Sequence, residues 1–239
     1  MNKKLTGIKL LIAGGDRYNT KIDDRVTAAF GVPLIEGYGI TECSPGLAVN
    51  PKPSVRKLGT VGPALPRFEL ELRSEAGEKL PIPGEGVLWC KGPSVTSGYY
   101  HADEINRERF IDGWFNTGDY VQIDADGYIK ILDRVTDIII VGGFNVYPQE
   151  VEAILSEHEG VSLAVVVGMP NNISGEVPKA YVIRSAGSEV SESELVKFCK
   201  ERLSHYKVPR SIEFVDSLPV SATGKILRRV LRQKEREKN

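Results

Sequence analysis

The chain carries a glycine-flanked tyrosine followed by two oxygen-bearing side chains, a combination suited to holding a nucleotide and its metal ion. Gly37 and Gly39 flank Tyr38, so the backbone can come close to a flat ring on which the tyrosine stacks. Thr41 supplies a hydroxyl for a phosphate oxygen, and Glu42 a hard oxygen ligand for Mg²⁺. Taken alone, the same residues fit an ordinary polar turn after a strand equally well.

Three charged side chains further along the chain complete this chemistry. A carboxylate at Asp119 can accept from both hydroxyls of a ribose, and Arg134 can add a charged donor to ribose or phosphate. Lys225 follows Gly224 and is predicted to begin a helix, where a cation opposes the macrodipole. An ammonium group at a reacting phosphate would explain that placement, because it offsets the charge repulsion between two anions. The plain alternatives are a turn aspartate, a surface arginine and a solvated lysine.

Two pairs of glycines each follow an apolar strand. Gly14 and Gly15, with Asp16, come directly after the apolar residues 8–13. Gly142 and Gly143 follow the apolar residues 138–141 and permit close backbone approach of a narrow ligand. A turn that merely ends a strand is the alternative for both pairs.

In this order, residues 36–42, 116–119, 133–134, 142–148 and 219–225 resemble the carboxyl-terminal half of the adenylate-forming (AMP-binding) acyl-CoA synthetases, especially the fatty-acid–CoA ligases. The resemblance implies that a carboxylate and ATP form an acyl-adenylate and pyrophosphate, and that the acyl group then passes to CoA. It implies a catalytic set of Lys225, Thr41 and Glu42, with Glu42 on the metal. The ATP or AMP contacts that it implies are Gly14, Gly15, Asp16, Glu36, Gly37, Tyr38, Gly39, Thr41, Asp119 and Arg134.

The resemblance also implies a moving last domain. Asp133 is expected to be the hinge, and a loop of Gly142, Gly143 and Phe144 is expected to turn toward the active site for thioester formation. One position departs from the pattern, because the family usually has lysine where this chain has Thr136. The implied co-substrates are ATP, Mg²⁺, CoA and a carboxylic acid, which we expect to be a fatty acid.

A loop rich in serine, threonine and glycine, with a lysine for the pyrophosphate of ATP, lies upstream in such enzymes. No segment of the 239-residue sequence matches this loop. We therefore expect an amino-terminal half to be missing and this chain alone to be inactive. Three other interpretations stay open: an acyl carrier protein as acceptor, a non-catalytic nucleotide-binding or interaction module, and a subunit completed in trans. The acid itself is undefined, because its pocket would lie largely in the missing half.

Composition excludes several other classes of protein. With 41% apolar and 26% charged residues and a net charge of −1, the chain suits a globular protein without a nucleic-acid partner. Three separated cysteines indicate a reducing, cytoplasmic location. No segment is apolar and long enough for a signal peptide or a transmembrane helix.

The elements that must position these residues predict a mixed α/β and α+β fold. Residues 1–133 are expected to form an incomplete adenylation domain: strands at 8–13 and 32–36 around a helix at 22–30, then a β-rich, barrel-like part. A hairpin in this part is expected to turn at Asp126-Gly127. Residues 134–239 are expected to form a small mobile α+β domain. Its predicted helices are residues 148–157, a helix from Ser191 to about His205 that a capping box opens, and one from Ile226 onward; its strands are residues 161–168, 179–184 and 212–215.

Overall fold

The computed structural model describes residues 7–15, 20–222 and 224–237. The chain divides into two compact units, Met1–Ile131 and Leu132–Asn239, close to the domain boundary proposed from the sequence. The predicted mixed α/β class is confirmed. None of the helices within the described ranges has the length and apolar character needed to cross a membrane.

The first unit begins with a small α/β layer that carries the predicted nucleotide motif. Its elements are β1 (Leu11–Ala13), α1 (Thr20–Phe30), β2 (Leu34–Gly39) and β3 (Gly46–Val49). Strands β1 and β2 are parallel and β3 is antiparallel to β2, so the predicted strand–helix–strand unit is confirmed. Its strand bounds differ from the prediction, because β1 begins at Leu11 rather than at residue 8 and β2 covers Leu34–Gly39 rather than residues 32–36. Gly31, at φ 74°, closes the helix with its amide bonded to the carbonyl of Thr27.

An antiparallel sheet of six strands, curled into a half-barrel, makes up the rest of the first unit. The elements are β4 (Glu69–Arg73), β5 (Lys79–Leu80), β6 (Gly84–Lys91), α2 (Asp103–Arg109), β7 (Phe110–Ile111), β8 (Trp114–Ile123) and β9 (Ile129–Arg134). The strands run in the order β5-β4-β6-β8-β7, and β9 pairs with β8. Side chains of β8 alternate between buried and partly exposed, as expected when one face of a strand packs on a core.

The hairpin between β8 and β9 forms as predicted. The amide of Gly127 donates to the carbonyl of Asp124 (3.0 Å), and the amide of Asp124 donates to the carbonyl of Tyr128 (3.1 Å). Gly127 has φ 79°, which a side chain would disfavour. This turn sends β9 back along β8 and on into the second unit.

A five-stranded sheet forms the second unit, with helices packed against both of its faces. The elements are β10 (Ile139–Val141), β11 (Phe144–Val146), α3 (Pro148–Glu157), β12 (Val161–Asn171), β13 (Gly175–Arg184), α4 (Glu192–Lys200), β14 (Ser211–Phe214) and α5 (Arg228–Glu237). The strands run in the order β11-β10-β13-β12, and β14 lies parallel to β13. The predicted α+β arrangement of elements is present.

The two-residue period of β12 separates two cores in this unit. Ala164 and Val166 of β12 face a cluster that includes residues of α3 and α4. The alternate residues Val165 and Val167 face Leu231 of α5 on the other side of the sheet. Helix α5 is therefore held on the sheet by a small apolar cluster of its own.

Two predicted helix bounds in this unit are wrong. Ser191 caps α4 as expected, its Oγ accepting from the amide of Glu194 (3.3 Å), but α4 ends at Lys200 rather than near His205. The amides of Arg202 and Leu203 both bond to the carbonyl of Cys199, and the bond from Arg202 spans three residues, as in the tighter 3₁₀ turn that often ends an α-helix. Helix α5 begins at Arg228, not at Ile226.

Candidate active site

The carboxyl end of β2 lies against the turn that follows β1. These strands are parallel, and Ala13 pairs with Glu36. A Cβ atom placed on Gly14 would lie 2.8 Å from the carbonyl oxygen of Gly37, so only glycine allows this approach. Both predicted adenine-side segments thus end at one edge of the sheet, as expected for parallel strands. Gly15 is exposed at φ 87°, and Asp16 lies outside the described residues.

Position 39 requires glycine because the neighbouring backbone leaves no space for a side chain. A Cβ there would lie 2.2 Å from the carbonyl oxygen of Pro45, because the chain turns sharply at this point. The turn is closed by the amide of Ile40, which donates to that same carbonyl (2.8 Å). The turn leaves Thr41 exposed and Glu42 partly buried at the end of the strand.

Tyr38 joins the first motif to the second. Its hydroxyl donates a hydrogen bond to Oδ2 of Asp119, 81 residues away in the chain. Tyr38 packs against the core of the first unit, and Asp119 is 3% exposed. Burial, with the Asp119 carboxylate, raises the pKa of the Tyr38 phenol far above its usual range. Tyr38 therefore stays a neutral donor that orients the carboxylate.

A β-bulge in β8 points Asp119 toward Tyr38. Gly118 adopts φ 74°, and the register between β6 and β8 shifts nearby. Thr117 Oγ donates to the carbonyl of Leu88 (2.8 Å) and accepts from the amide of Asp119 (3.1 Å). The glycine and threonine of the second motif therefore shape the backbone that places its aspartate.

Glu42 has a partner that the sequence did not reveal. The hydroxyl of Tyr99 donates to Glu42 Oε1 at 2.5 Å, and burial together with that carboxylate raises the pKa of Tyr99 to about 12. The backbone supports the contact, because the amide of Thr96 donates to the carbonyl of Glu42 (2.8 Å). No motif surrounds Tyr99, and 57 residues separate it from Glu42. The two meet because the loop after β6, which carries Thr96 and Tyr99, lies against the turn that carries Glu42.

The donors at this edge suit Mg²⁺ bound mainly by a nucleotide. Glu42 offers one carboxylate and Thr41 a hydroxyl, both hard oxygen donors. Within the described ranges no group of three or more His, Cys, Asp or Glu side chains is arranged to hold an ion. Mg²⁺ commonly takes one or two carboxylates and completes its shell with phosphates and water, which fits such a sparse set.

Glu36 is a titrating group beside these residues. Desolvation raises its pKa to about 7, against the opposing hydrogen bond that Glu36 Oε2 accepts from the amide of Gly59 (3.1 Å). The folded state therefore binds this proton more tightly than the unfolded state does. The resulting stabilisation is full below pH 4.5, the ordinary pKa of a glutamate, and is lost as the pH rises through about 7.

We therefore expect Glu36→Gln to flatten the pH dependence of stability. Glutamine keeps an acceptor for the Gly59 amide but cannot ionise, so the fall in unfolding free energy between about pH 4.5 and pH 7 should shrink. Urea denaturation of the 239-residue chain at several pH values measures this slope. The exposed Glu75→Gln is the control, and an unchanged slope in Glu36→Gln would show that Glu36 titrates normally.

Asp133, the proposed hinge, is anchored in the second unit. It is 1% exposed, and its carboxylate accepts from the amides of Arg134 (2.8 Å) and Gln149 (3.0 Å). Gln149 lies in the first turn of α3, so Asp133 places a negative charge at the helix amino terminus. Burial nevertheless raises the pKa of Asp133 to about 6. Arg134 beside it is exposed.

Thr136, where the resembling family usually has lysine, meets an arginine through its backbone. Arg232 of α5 donates to the carbonyl of Thr136 and forms an ion pair with Asp137 (2.7 Å). A basic side chain is therefore present near this position, supplied by another element.

Gly142 and Gly143 form the two-residue turn of the β10–β11 hairpin. Their φ angles are 57° and 88°, and no atom of the described residues lies within 4 Å of a Cβ placed on either. This is the geometry of a type I′ turn, which demands positive φ at both residues. The glycines are explained by torsion, not by close approach within the described residues. Phe144 next to them is 58% exposed and stacks on Tyr206, with ring centroids 4.9 Å apart.

Lys225 lies in a loop, three residues before α5, and does not begin a helix as predicted. The amide of Ser221 donates to the carbonyl of Lys225 (2.8 Å), and the amide of Lys225 donates to Ser221 Oγ (3.1 Å). Val220 and Ile226 pair as an isolated β-bridge, so these residues use their backbone groups in a hairpin. The predicted conflict between Lys225 and a helix macrodipole is therefore absent. The Lys225 side chain is exposed, as a phosphate ligand requires.

Two family models match the chain. The AMP-binding enzyme model matches residues 1–100, and the model of the AMP-binding enzyme C-terminal domain matches residues 150–225. The chain belongs to the family of AMP-binding enzymes.

Its relatives are acid–CoA ligases with different acids. The chain is 39% identical to a long-chain-fatty-acid–CoA ligase of Yersinia pestis over 95% of its own length. It is 44% identical to a 2-succinylbenzoate–CoA ligase of Bacillus licheniformis over 84%. The crystal structure of ATP-bound MatB from Rhodopseudomonas palustris superposes with a TM-score of 0.87 and 36% identity, covering 94% of this chain and 45% of MatB. The chain spans about 40% of the length of the two curated relatives.

Proposed function

We propose that this chain is part of an ATP-dependent acid–CoA ligase. In the first reaction a carboxylate attacks the α-phosphate of ATP and releases pyrophosphate. In the second, the sulfur of CoA attacks the acyl carbon of the adenylate, forms the thioester and releases AMP. The observation that carries the proposal is the Tyr38–Asp119 hydrogen bond. It joins two motifs that would otherwise be separate turns, at the sheet edge where ligands of α/β proteins bind.

The first unit supplies groups for the nucleotide. Tyr38 holds the Asp119 carboxylate toward a ribose, and its ring is proposed to stack on the base. Thr41 and Glu42 provide oxygens for phosphate and Mg²⁺. Tyr99 orients Glu42 through its hydroxyl.

The second unit supplies charge and motion in this proposal. The exposed ammonium group of Lys225 offsets the repulsion between the carboxylate and the α-phosphate. Rotation near Asp133 then exchanges Lys225 for the hairpin at Gly142, Gly143 and Phe144, which serves the CoA step. Arg134, directly after the hinge, adds a donor to the nucleotide.

A fatty acid is the proposed substrate. The support is the long-chain-fatty-acid–CoA ligase of Yersinia pestis, which aligns with 95% of this chain. The 2-succinylbenzoate–CoA ligase matches at 44% identity, so an aromatic acid is the competing candidate. A panel of both acid types decides between them.

The test uses this chain joined to the amino-terminal half that precedes it in an acid–CoA ligase. We call this protein the complete ligase. Acid-dependent ATP–pyrophosphate exchange measures the first reaction, and release of acyl-CoA measures the second. We expect exchange with fatty acids and a CoA-dependent product. No exchange with any acid would contradict the proposed function, and exchange without a CoA product would point to another acceptor.

The 239-residue chain alone is expected not to catalyse this exchange. None of its residues matches the loop that holds the leaving pyrophosphate in similar enzymes, so the first reaction lacks stabilisation of its leaving group. Fatty-acid-dependent exchange by the purified chain, above the level of a Lys225→Ala control, would overturn this expectation. Nucleotide binding without turnover would agree with it.

A further inference from the structure

The loop that carries Lys225 is closed on itself. Besides the two bonds between Ser221 and Lys225, the amide of Gly224 donates to the carbonyl of Ser221 (2.9 Å). The amide of Leu227 donates to the carbonyl of Pro219 (2.8 Å) at the base of the loop. These bonds give the loop a shape, but they do not fix where the loop sits on the unit.

Arg228 fastens the end of this loop to the body of the second unit. Its Nη1 and Nη2 donate to Oε1 and Oε2 of Glu152 at 2.5 and 2.7 Å, and Nη1 also donates to the carbonyl of Val166 (3.0 Å). Glu152 Oε1 in turn accepts from the amide of Val166 (2.7 Å). A bidentate pair of this kind fixes orientation as well as distance.

The surroundings of the pair make it a rigid anchor. Glu152 is 7% exposed and lies on α3, and Val166 is fully buried in β12, the strand at the end of the sheet. Burial disfavours the charge of Arg228, but the hydrogen bonds and field of Glu152 outweigh it and hold the Arg228 pKa above its usual range. Arg228 therefore remains charged and paired with Glu152.

The far end of α5 has a separate anchor. The hydroxyl of Tyr181 donates to Glu235 Oε1 at 2.5 Å, and Lys179 forms an ion pair with Glu235 at 3.0 Å. Glu235 is 2% exposed. Attachment of the helix and placement of the loop thus rest on different side chains, seven residues apart.

We propose that Arg228 and Glu152 are positioning residues for Lys225, holding its loop at the place from which the ammonium group reaches the α-phosphate. The proposal rests on the proposed function of Lys225. Arg228 is three residues from Lys225 and contacts Glu152 of α3 and Val166 of β12. Displacement of a reacting group by about 1 Å costs on the order of 100-fold in rate, so the loop needs an anchor of this stiffness.

The test compares Arg228→Lys, Glu235→Gln and Arg229→Lys in the complete ligase. Lysine keeps the charge at 228 but loses the two-pronged contact, whereas Glu235→Gln weakens the far anchor, and Arg229 is an exposed neighbour. We expect Arg228→Lys to lower kcat for pyrophosphate exchange about 10- to 100-fold, with KM for ATP and thiolysis of supplied acyl-adenylate nearly unchanged. Glu235→Gln should lower Tm yet keep kcat within about 2-fold, and Arg229→Lys should match the parent.

Hydrogen exchange of the same proteins provides a readout that needs no activity. Arg228→Lys should speed exchange about 10-fold or more in residues 219–227, whereas Glu235→Gln should do so mainly in residues 231–237. Parental kcat in a folded Arg228→Lys, or equal losses in both half-reactions, would overturn the proposal. If the parental complete ligase is inactive, the proposed function is wrong. If hydrogen exchange at residues 219–227 is then also unchanged in Arg228→Lys, the anchoring role of Arg228 is wrong as well.

Discussion

Lys225→Ala in the complete ligase is expected to slow acyl-adenylate formation by about 100-fold or more, the usual loss when one preorganised electrostatic contact to a transition state is removed. Repulsion between carboxylate and α-phosphate exists only in the first reaction. Thiolysis of a supplied acyl-adenylate should therefore stay near the parental rate. Pyrophosphate exchange and acyl-CoA release, measured separately, give the two rates.

Two variants control for charge and folding. Arg229→Ala removes a nearby exposed cation and should leave both reactions unchanged. Lys225→Arg keeps the charge on a differently shaped group and should recover part of the first rate. If Lys225→Ala slows both reactions equally, the lysine binds substrate throughout or supports the structure, and its proposed role is wrong.

Asp119→Ala is expected to raise KM for ATP and lower kcat/KM for ATP about 10- to 100-fold. The change removes an acceptor for the ribose and leaves the half-buried Tyr38 hydroxyl without the carboxylate it now contacts. Hydrogen bonds to charged groups contribute about 1.5–3 kcal/mol each, and an orphaned buried donor adds a penalty of its own. Initial-rate kinetics with ATP varied at saturating acid measures the change.

Tyr38→Phe is the matched variant for this pair. It keeps the Tyr38 ring and the Asp119 carboxylate but removes the hydroxyl that orients this carboxylate. The loss in kcat/KM for ATP should therefore be clearly smaller than in Asp119→Ala. Unchanged ATP kinetics in a folded Asp119→Ala would place the ribose elsewhere. Equal losses in the two variants would mean that Asp119 acts only through Tyr38.

Local patterns in the sequence were enough to predict most elements that carry the candidate site. Helix α3 has the predicted bounds, and the β8–β9 hairpin turns where Asp126-Gly127 indicated. These elements are set by features within a few residues: proline at the first helical position, and the glycine that a tight turn requires. The order of the motifs indicated the family for the same reason, because each motif is contiguous.

Contacts between distant residues could not be predicted in this way. Tyr99 meets Glu42, and Arg228 meets Glu152, only because the sheets bring separate segments together. The helix start at Lys225 was wrong because backbone groups of Ser221 and Lys225 bond across a hairpin, and propensity along the chain does not reveal that competition. The roles of the site residues in binding and catalysis stay predictions.

Gly39 and the pair Gly142-Gly143 are glycines for opposite reasons, and the difference determines which substitutions each position tolerates. At position 39 the neighbouring carbonyl of Pro45 excludes any side chain, so every other residue type is shut out. At 142 and 143 space is open and only the torsion is demanding, which asparagine or aspartate also tolerates. Residues 142 and 143 at the tip of the hairpin could therefore be replaced one at a time during evolution, whereas Gly39 in the nucleotide-side turn could not.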